Sequence, residues 1–308
     1  MRAAVLHGPD DLRVEDVEEP TGEVVVEVRA ATACGTDRKM LLRGHPILGG
    51  YPARFGHETA GVRLDTEERV LVGDSVACGT CAPCLAGRPA ICRSPTWVLG
   101  GFAERIAAPQ AALHALPDEL DFAGAAMAEP LAACVHAVAR GTDARDVAVL
   151  GGGTIGLMLA RLLALEGRAV LVVDRHAERR AQAEALGART ADELASHDLV
   201  FEAVGRVQAW ELAVSAARPG GTVVFVGGCP SGTTIDVPTG PLHYDEVDLR
   251  GAFHHTREEV DTAIALLAAG DVEWRALAGE EVGLEQLADA LRAPTAGEAR
   301  KLIVDPGR

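Results

Sequence analysis

Four cysteines fall within fifteen residues, as Cys78-Gly-Thr-Cys81-Ala-Pro-Cys84 followed by Cys92. The C-x2-C-x2-C-x7-C spacing, turned by Gly and Pro, lets four thiolates close on one zinc ion. With all four positions filled by protein, such a site is structural. A disulfide pair and an iron–sulfur cluster are the alternatives. A second set is dispersed: Cys34 in Cys34-Gly-Thr-Asp37, His57 and Glu58 in Gly56-His-Glu58, and Glu129 in Glu129-Pro-Leu131. An isolated His is more often a satisfied core residue than a ligand. One thiolate, one imidazole and one carboxylate, however, leave a position of zinc open, the pattern of a catalytic site. Third, Gly151-Gly152-Gly153-Thr154-Ile155-Gly156 follows the apolar run Asp146–Leu150. Gly151 permits the turn, Gly153 lets backbone approach a pyrophosphate, and Gly156 allows close packing of the next helix. The helix start at Thr154 and Ile155 offers free N–H groups to the phosphates. Asp174 lies 18 residues after Gly156 and ends the next apolar run, where a carboxylate binds the ribose hydroxyls of NAD and repels the 2′-phosphate of NADP. Arg175 adjoins it and softens that discrimination.

These residues need elements to hold them. The first ~120 residues read as short strands and loops, with strands at Val24–Val28 and Arg69–Val72. From about Phe122, Ala/Leu-rich helices alternate with short apolar strands. Strands are expected at Asp146–Leu150, Ala169–Val173, Leu199–Val204 and Thr222–Val226. Helices are expected at Ile155–Leu165, Ala177–Leu186, Gln208–Ala217 and Arg257–Ala269. Alternating βα units with continuous apolar strands predict a parallel sheet covered on both faces. A mixed tail ends in the strand Lys301–Val304. The texture changes near residues 122 and 251 are the visible boundaries.

The formal net charge is −16, from 45 acids against 29 bases, and only Lys39 and Lys301 are lysines. Such a surface repels nucleic acid and anionic membranes. The N-terminus is too acidic for a leader, and the apolar stretch Leu157–Leu165 is broken by Arg161, so no bilayer span is expected. Seven cysteines without a leader point to a reducing compartment, hence the cytoplasm. Cys134 and Cys229 read as small core residues.

All these motifs occur together and in order, with the opening Met1-Arg-Ala-Ala-Val-Leu and Gly101-Phe-Ala-Glu104. The whole chain resembles the zinc-dependent medium-chain dehydrogenase/reductase superfamily, the alcohol dehydrogenase relatives. The resemblance implies a Rossmann domain (residues 123–251) inserted into a GroES-like β-rich catalytic domain (residues 1–122 and 252–308). It places Cys34 and His57 on catalytic zinc ligands, and Glu58 and Glu129 on carboxylates that reach that zinc. Thr36 falls on the hydroxyl that relays the substrate proton, and Asp37 on the partner that orients the imidazole. Cys78, Cys81, Cys84 and Cys92 match the structural zinc lobe, giving two zinc ions per chain. Two departures stand out. The relay histidine of the family is Lys39 here, and the chain is shorter than typical members, chiefly between Gly61 and Ala103.

The expected activity is hydride transfer between NAD and a secondary alcohol, of polyol, cyclitol or aminocyclitol type. A threonine-type or simple alcohol dehydrogenase, a zinc-free reductase and a non-catalytic NAD-binding protein are the alternatives. The partner is a small alcohol or ketone, and the family implies a homodimer or homotetramer. His45, in Arg43-Gly44-His45-Pro46, is a candidate contact to a substrate hydroxyl, and His254 and His255 are unassigned.

Overall fold

The computed structural model describes residues 1–293, 297 and 299–308. The chain folds as two compact units. One holds Met1–Pro130 with residues 256–293 and Arg300–Arg308; the other holds Leu131–His255 with Gly297 and Ala299.

The first unit is β-rich. Its main sheet runs in the order Leu113–Ala115, Arg69–Val72, Glu58–Arg63, Val24–Ala33, Lys301–Val304, Ala278–Val282, with Arg105–Ala108 also paired to Val24–Ala33. Side chains alternate along a strand, so Val24, Val26 and Val28 face one core with Val70, Val72 and Ile106. Each contributes about 1.5–3 kcal/mol by leaving water. A second core gathers Leu6, Met40, Leu41, Phe55, Phe102, Leu284 and Leu287. There Phe55 and Phe102 meet edge to face at 4.9 Å. The helix Leu284–Arg292, which supplies two of those leucines, lies in the tail that the sequence leaves as mixed.

The second unit is a six-stranded parallel sheet in the order Arg189–Ala191, Ala169–Val173, Asp146–Leu150, His197–Glu202, Ala217–Phe225, Asp248–Gly251. The order reverses between Asp146–Leu150 and His197–Glu202, the point at which an open α/β sheet receives its ligand. A doubly wound parallel sheet together with a β-rich unit is the fold class that the family resemblance implies.

The chain passes between the units at Pro130/Leu131 and at His255/Thr256, later than the texture changes at 122 and 251. Side chains explain the shift. The Arg69 guanidinium lies 4.5 Å over the Phe122 ring, and a Cβ on Gly124 would come within 2.6 Å of Trp274, so the helix Phe122–Ala126 belongs to the first unit. At the return, Thr256 caps the helix Arg257–Ala268, and Arg257 donates to the carbonyls of Ala111 and Leu113 at 2.6 and 2.7 Å. Residues 294–296 and 298 of the expected C-terminal return lie outside the described residues.

One further apolar stretch bears on the expectation that nothing spans a bilayer. The run Phe122–Ala139, 18 residues with mean hydropathy 1.4, is by length and composition long and apolar enough to cross a bilayer. It is 61% buried within the protein, the condition of a core helix.

Candidate metal centres and cofactor cradle

Cys34 ends the strand Val24–Ala33 and caps the helix Gly35–Arg43. Its Sγ accepts from the Thr36 amide at 3.2 Å, and Asp37 Oδ2 accepts from the Cys34 amide at 2.8 Å, a reciprocal capping box. The box buries Asp37 completely and leaves Oδ1 3.4 Å from His57 Nδ1. That separation is within ion-pair range but too poorly aligned for a hydrogen bond. Gly56 sets the turn into His57: its φ is +90°, and a Cβ there would strike the Phe102 ring at 2.8 Å. The loop of Gly101-Phe-Ala-Glu104 closes on it, with the Gly100 and Gly101 amides both 3.0 Å from the Gly56 carbonyl.

These constraints bring Cys34 Sγ to 3.5 Å from His57 Nε2. Ligands about 2.3 and about 2.05 Å from one zinc, at the tetrahedral angle, stand about 3.5 Å apart. The ligand atoms of His57, Glu58 and Glu129 lie within 4.8 Å of one another. Cys34 and Asp37 form a second such group with the same His57, and the thiolate, imidazole and carboxylate donors meeting at His57 suit a zinc ion. Cys34, Asp37, Glu58 and Glu129 set four acidic groups against the two bases His57 and Lys301. Burial alone would lower the His57 pKa, but the Cys34 and Asp37 charges outweigh it and hold the imidazole well above its ordinary range. The locality favours positive charge.

Glu58 is 1% exposed, and both of its oxygens are engaged. Oε1 accepts from Lys301 Nζ at 2.5 Å, and Oε2 takes a short hydrogen bond from the Thr32 hydroxyl. Each carboxylate oxygen has a second lone pair, so these bonds anchor Glu58 without exhausting it as a ligand. Burial pushes its carboxyl up to about 7, with Lys301 pulling down and Glu129 adding to the rise. Thr32 and Lys301 are the residues that sequence reasoning missed. A signal existed: Lys301 opens an apolar strand in a chain with only two lysines.

The other candidates are placed as follows. Thr36 is half-buried at the helix start and Lys39 is exposed. His45 is exposed and caps the turn Pro46–Leu48, its Nδ1 accepting from the Ile47 amide at 3.3 Å. Partial burial, then the Lys39 and His57 charges, hold His45 below its ordinary pKa. His254 and His255 stack with ring centroids 4.2 Å apart.

In the cysteine lobe, Cys81 Sγ lies 3.4 Å from Cys84 Sγ and 3.8 Å from Cys92 Sγ, and all four sulfurs fall within 4.8 Å of one another. Disulfide sulfurs would be about 2.05 Å apart, whereas thiolates about 2.3 Å from one zinc stand about 3.8 Å apart. The space admits one ion and is too small for an iron–sulfur cluster. The amides of Cys78 and Ser94 point at Cys92 Sγ, and those of Cys81 and Arg93 at Cys78 Sγ and Cys81 Sγ, at 3.3–3.4 Å. The Thr80 amide and hydroxyl, then the Cys81 amide, lower the pKa of Cys78, and the Arg93 amide lowers that of Cys81, while burial and the neighbouring thiols push Cys84 up to about 12. Cys81→Ser is expected to lower melting temperature and metal content while turnover per folded molecule changes little, because a closed site offers no position to substrate. Turnover lost at an unchanged melting temperature would instead place chemistry in the lobe.

In the second unit, Gly151 has φ +109°, and a Cβ there would lie 2.9 Å from Val204 Cγ2. A Cβ on Gly156 would lie 1.8 Å from the Gly151 carbonyl oxygen, so only glycine lets the helix Thr154–Leu165 start this close. Around Gly153 nothing would obstruct, which leaves the helix start open to an anion. Asp174 Oδ2 accepts from the Gly152 amide at 2.8 Å, and Oδ1 accepts from the His176 amide and meets His176 Nδ1, both at 2.8 Å. Burial would raise the Asp174 carboxyl, but the His176 and Gly152 amides outweigh it and hold it low, so it stays ionised at neutral pH. Arg175 is exposed, and the arginine beside the carboxylate is Arg179, 3.6 Å from Oδ2. One helical turn returns Arg179 to a place that adjacency suggested for Arg175.

Comparison with known proteins agrees with this arrangement. Residues 20–118 match the alcohol dehydrogenase GroES-like domain, and residues 154–269 match the zinc-binding dehydrogenase domain. The chain is 28% identical to a sorbitol dehydrogenase of Bacillus subtilis, covering 100% of this chain and 98% of that one. It is also 28% identical to an L-threonine 3-dehydrogenase of Chelativorans, covering 99% and 98%. A zinc-binding dehydrogenase structure from Sinorhizobium meliloti, bound to NADP, superposes with a TM-score of 0.90 at 29% identity and 99% coverage of both chains. The two matched domains, the resemblance along the full length and the shared fold establish that this chain belongs to the zinc-type medium-chain dehydrogenase/reductase family, as an alcohol dehydrogenase-type oxidoreductase with a nicotinamide cofactor.

Proposed function

We propose that the protein is a zinc-dependent, NAD-linked dehydrogenase of secondary alcohols of the polyol, cyclitol or aminocyclitol class. The observation that carries this reading is the Cys34–His57 pair at 3.5 Å with two carboxylates, Glu58 and Glu129, in place of further thiolates. Cys34, His57 and Glu58 would hold the catalytic ion, with Glu129 facing it, and Cys78, Cys81, Cys84 and Cys92 would hold a second, structural one. Bound there, zinc would supply Lewis-acid polarisation of an alcohol or carbonyl oxygen, and the nicotinamide would exchange hydride with the carbon. Asp37 would orient the His57 ring by its charge, 3.4 Å from Nδ1, and Lys301 with Thr32 anchors Glu58. Thr36, half-buried at the start of the same helix, would pass the hydroxyl proton outward.

The test is a panel of polyols, cyclitols, aminocyclitols and threonine with NAD and NADP, read alongside zinc per chain. Turnover with threonine or simple alcohols alone would overturn the substrate class.

Asp174 supports NAD, while Arg179 beside it supports a second reading in which NADP is also used. Asp174→Ala is expected to lower kcat/KM for NAD by roughly 10- to 100-fold, the worth of hydrogen bonds to a charged group. The value for NADP should fall less, because repulsion of the 2′-phosphate is relieved. A wild-type enzyme that already prefers NADP would remove Asp174 as the discriminator.

A further inference from the structure

Three loops leave the C-terminal ends of adjacent strands in the second unit, at residues 151–153, 203–205 and 226–228. Glu202, fully buried at the end of His197–Glu202, ties the middle loop to the third. Its Oε1 accepts from the Val204 and Gly205 amides, each at 2.8 Å. Its backbone carbonyl accepts from the Val226 and Gly227 amides at 2.9 and 3.0 Å. The turn so held is wedged on both sides. A Cβ on Gly227 would lie 2.3 Å from the Gly205 nitrogen and 2.9 Å from Glu202 Oε2, and one on Gly151 would lie 2.9 Å from Val204 Cγ2. Trp210 closes the third loop by donating to the Gly227 carbonyl at 2.9 Å while stacking on Phe225.

One atom does not fit a purely structural part. Glu202 Oε2 is buried and has no well-aligned hydrogen-bond partner among the described residues, with the Trp210 indole and the Gly227 amide close enough to act on the carboxyl. A buried polar atom left so is destabilising, and a neutral side chain could hold the same turn without a poorly satisfied carboxylate oxygen. The acid stands beside the point where the strand order reverses, at the rim that takes a dinucleotide.

We propose that Glu202 is a positioning residue for the nicotinamide cofactor: its carboxyl sets the 203–205 turn against Gly151, and its charge state tunes how tightly the rim holds the dinucleotide. Burial pushes the carboxyl up to about 7, and the next influences are neutral donors, the Gly205 and Val204 amides, the Trp210 indole and the Gly227 amide. Charged groups on the elements packed around it are placed elsewhere. Asp146 and Asp198 pair with Arg218 at the opposite end of the strands. Glu211, on the helix Val207–Ser215, takes the Asp236 amide, and Arg206 is exposed. Glu202 thus passes from neutral to anionic as pH rises through neutrality, and the added charge opposes the pyrophosphate. Cofactor affinity falls in that interval.

The inference rests on the nicotinamide cofactor of the family and not on the substrate class. The experiment is NADH and NADPH titration by fluorescence on the metal-replete full chain, from about pH 6 to about pH 8.5, with thermal unfolding alongside. Wild-type affinity is expected to weaken several-fold across that range. Glu202→Gln keeps an oxygen for the two amides, so it should bind as wild type at the acid end and stay flat through neutrality. Glu202→Ala should weaken binding about tenfold at every pH, the loss of bonds to the turn. If the alanine variant does not fold, the glutamine variant still decides. A glutamine variant that keeps the wild-type slope, or an alanine variant that melts earlier yet binds as wild type, overturns the proposal. A wild-type protein that binds neither cofactor would instead overturn the cofactor assignment itself.

Discussion

Glu58→Gln is expected to strip the proposed catalytic ion from Cys34 and His57 and to cut turnover at least about a thousandfold. That corresponds to losing roughly 4 kcal/mol of transition-state stabilisation. A neutral amide is a far weaker zinc ligand than a carboxylate, and Glu58 is the carboxylate that follows His57 directly and is clamped beside it. Zinc per chain and kcat/KM, measured on the same sample, check the result. Glu129→Gln is expected to keep zinc and slow turnover, since Glu129 stands on the helix Ala128–Ala139 and is not adjacent to His57 in the chain as Glu58 is. Zinc lost only from Glu129→Gln would give the ligand role to Glu129. Misfolding needs its own control, because removing the Glu58 charge strands Lys301 as a buried ammonium. The double variant Glu58→Gln, Lys301→Met removes that charge, so it should recover stability while zinc stays absent.

In the zinc-free protein, Lys301→Met alone is expected to destabilise the first unit by about 3–5 kcal/mol, because it leaves Glu58 as an uncompensated buried charge. Lys301 is 6% exposed and Glu58 1%, so water cannot replace the lost partner. For a unit of this size the melting temperature should drop on the order of 6–15 °C. The coupling energy from the double-variant cycle should be well above the roughly 0.5 kcal/mol scatter of independent sites. A single variant that melts within about 2 °C of wild type would mean that the Lys301–Glu58 pair contributes no net stability.

The two expectations come from opposite ends of what a sequence reveals. Cys78, Cys81, Cys84 and Cys92 were readable as a set because they close within one short lobe, where spacing and Gly and Pro turns restrict the geometry. Gly151–Gly156 was readable for the same reason. Gly156 answers to Gly151 and to the strand just before it, although the space around Gly151 is set by Val204 in a distant loop. The parallel strands also announced themselves, because burial on both faces leaves continuous apolar runs, here of Val, Leu and Ala.

Cys34, His57, Glu58 and Glu129 could be listed from family resemblance, but the meeting of Cys34, and of Glu58 and Glu129, with His57 is a matter of strand register and turns. Lys301 meets Glu58 across 243 residues of chain. The meeting follows from antiparallel pairing of Leu302 with Ala33 and of Thr32 with Glu58, which no local pattern encodes. The same holds for the cofactor rim. Sequence adjacency offered Arg175 as the neighbour of Asp174, whereas the turn into the helix Ala177–Ala185 exposes Arg175 and brings Arg179 back to the carboxylate. Glu202 is an ordinary strand-end acid until the parallel sheet sets its loop between those of Asp146–Leu150 and Ala217–Phe225. Residue types and short spacings therefore determined which chemistry this protein carries. Tertiary structure decided which buried charges pair and which lie bare, because that depends on partners distant in sequence and on the water their packing excludes.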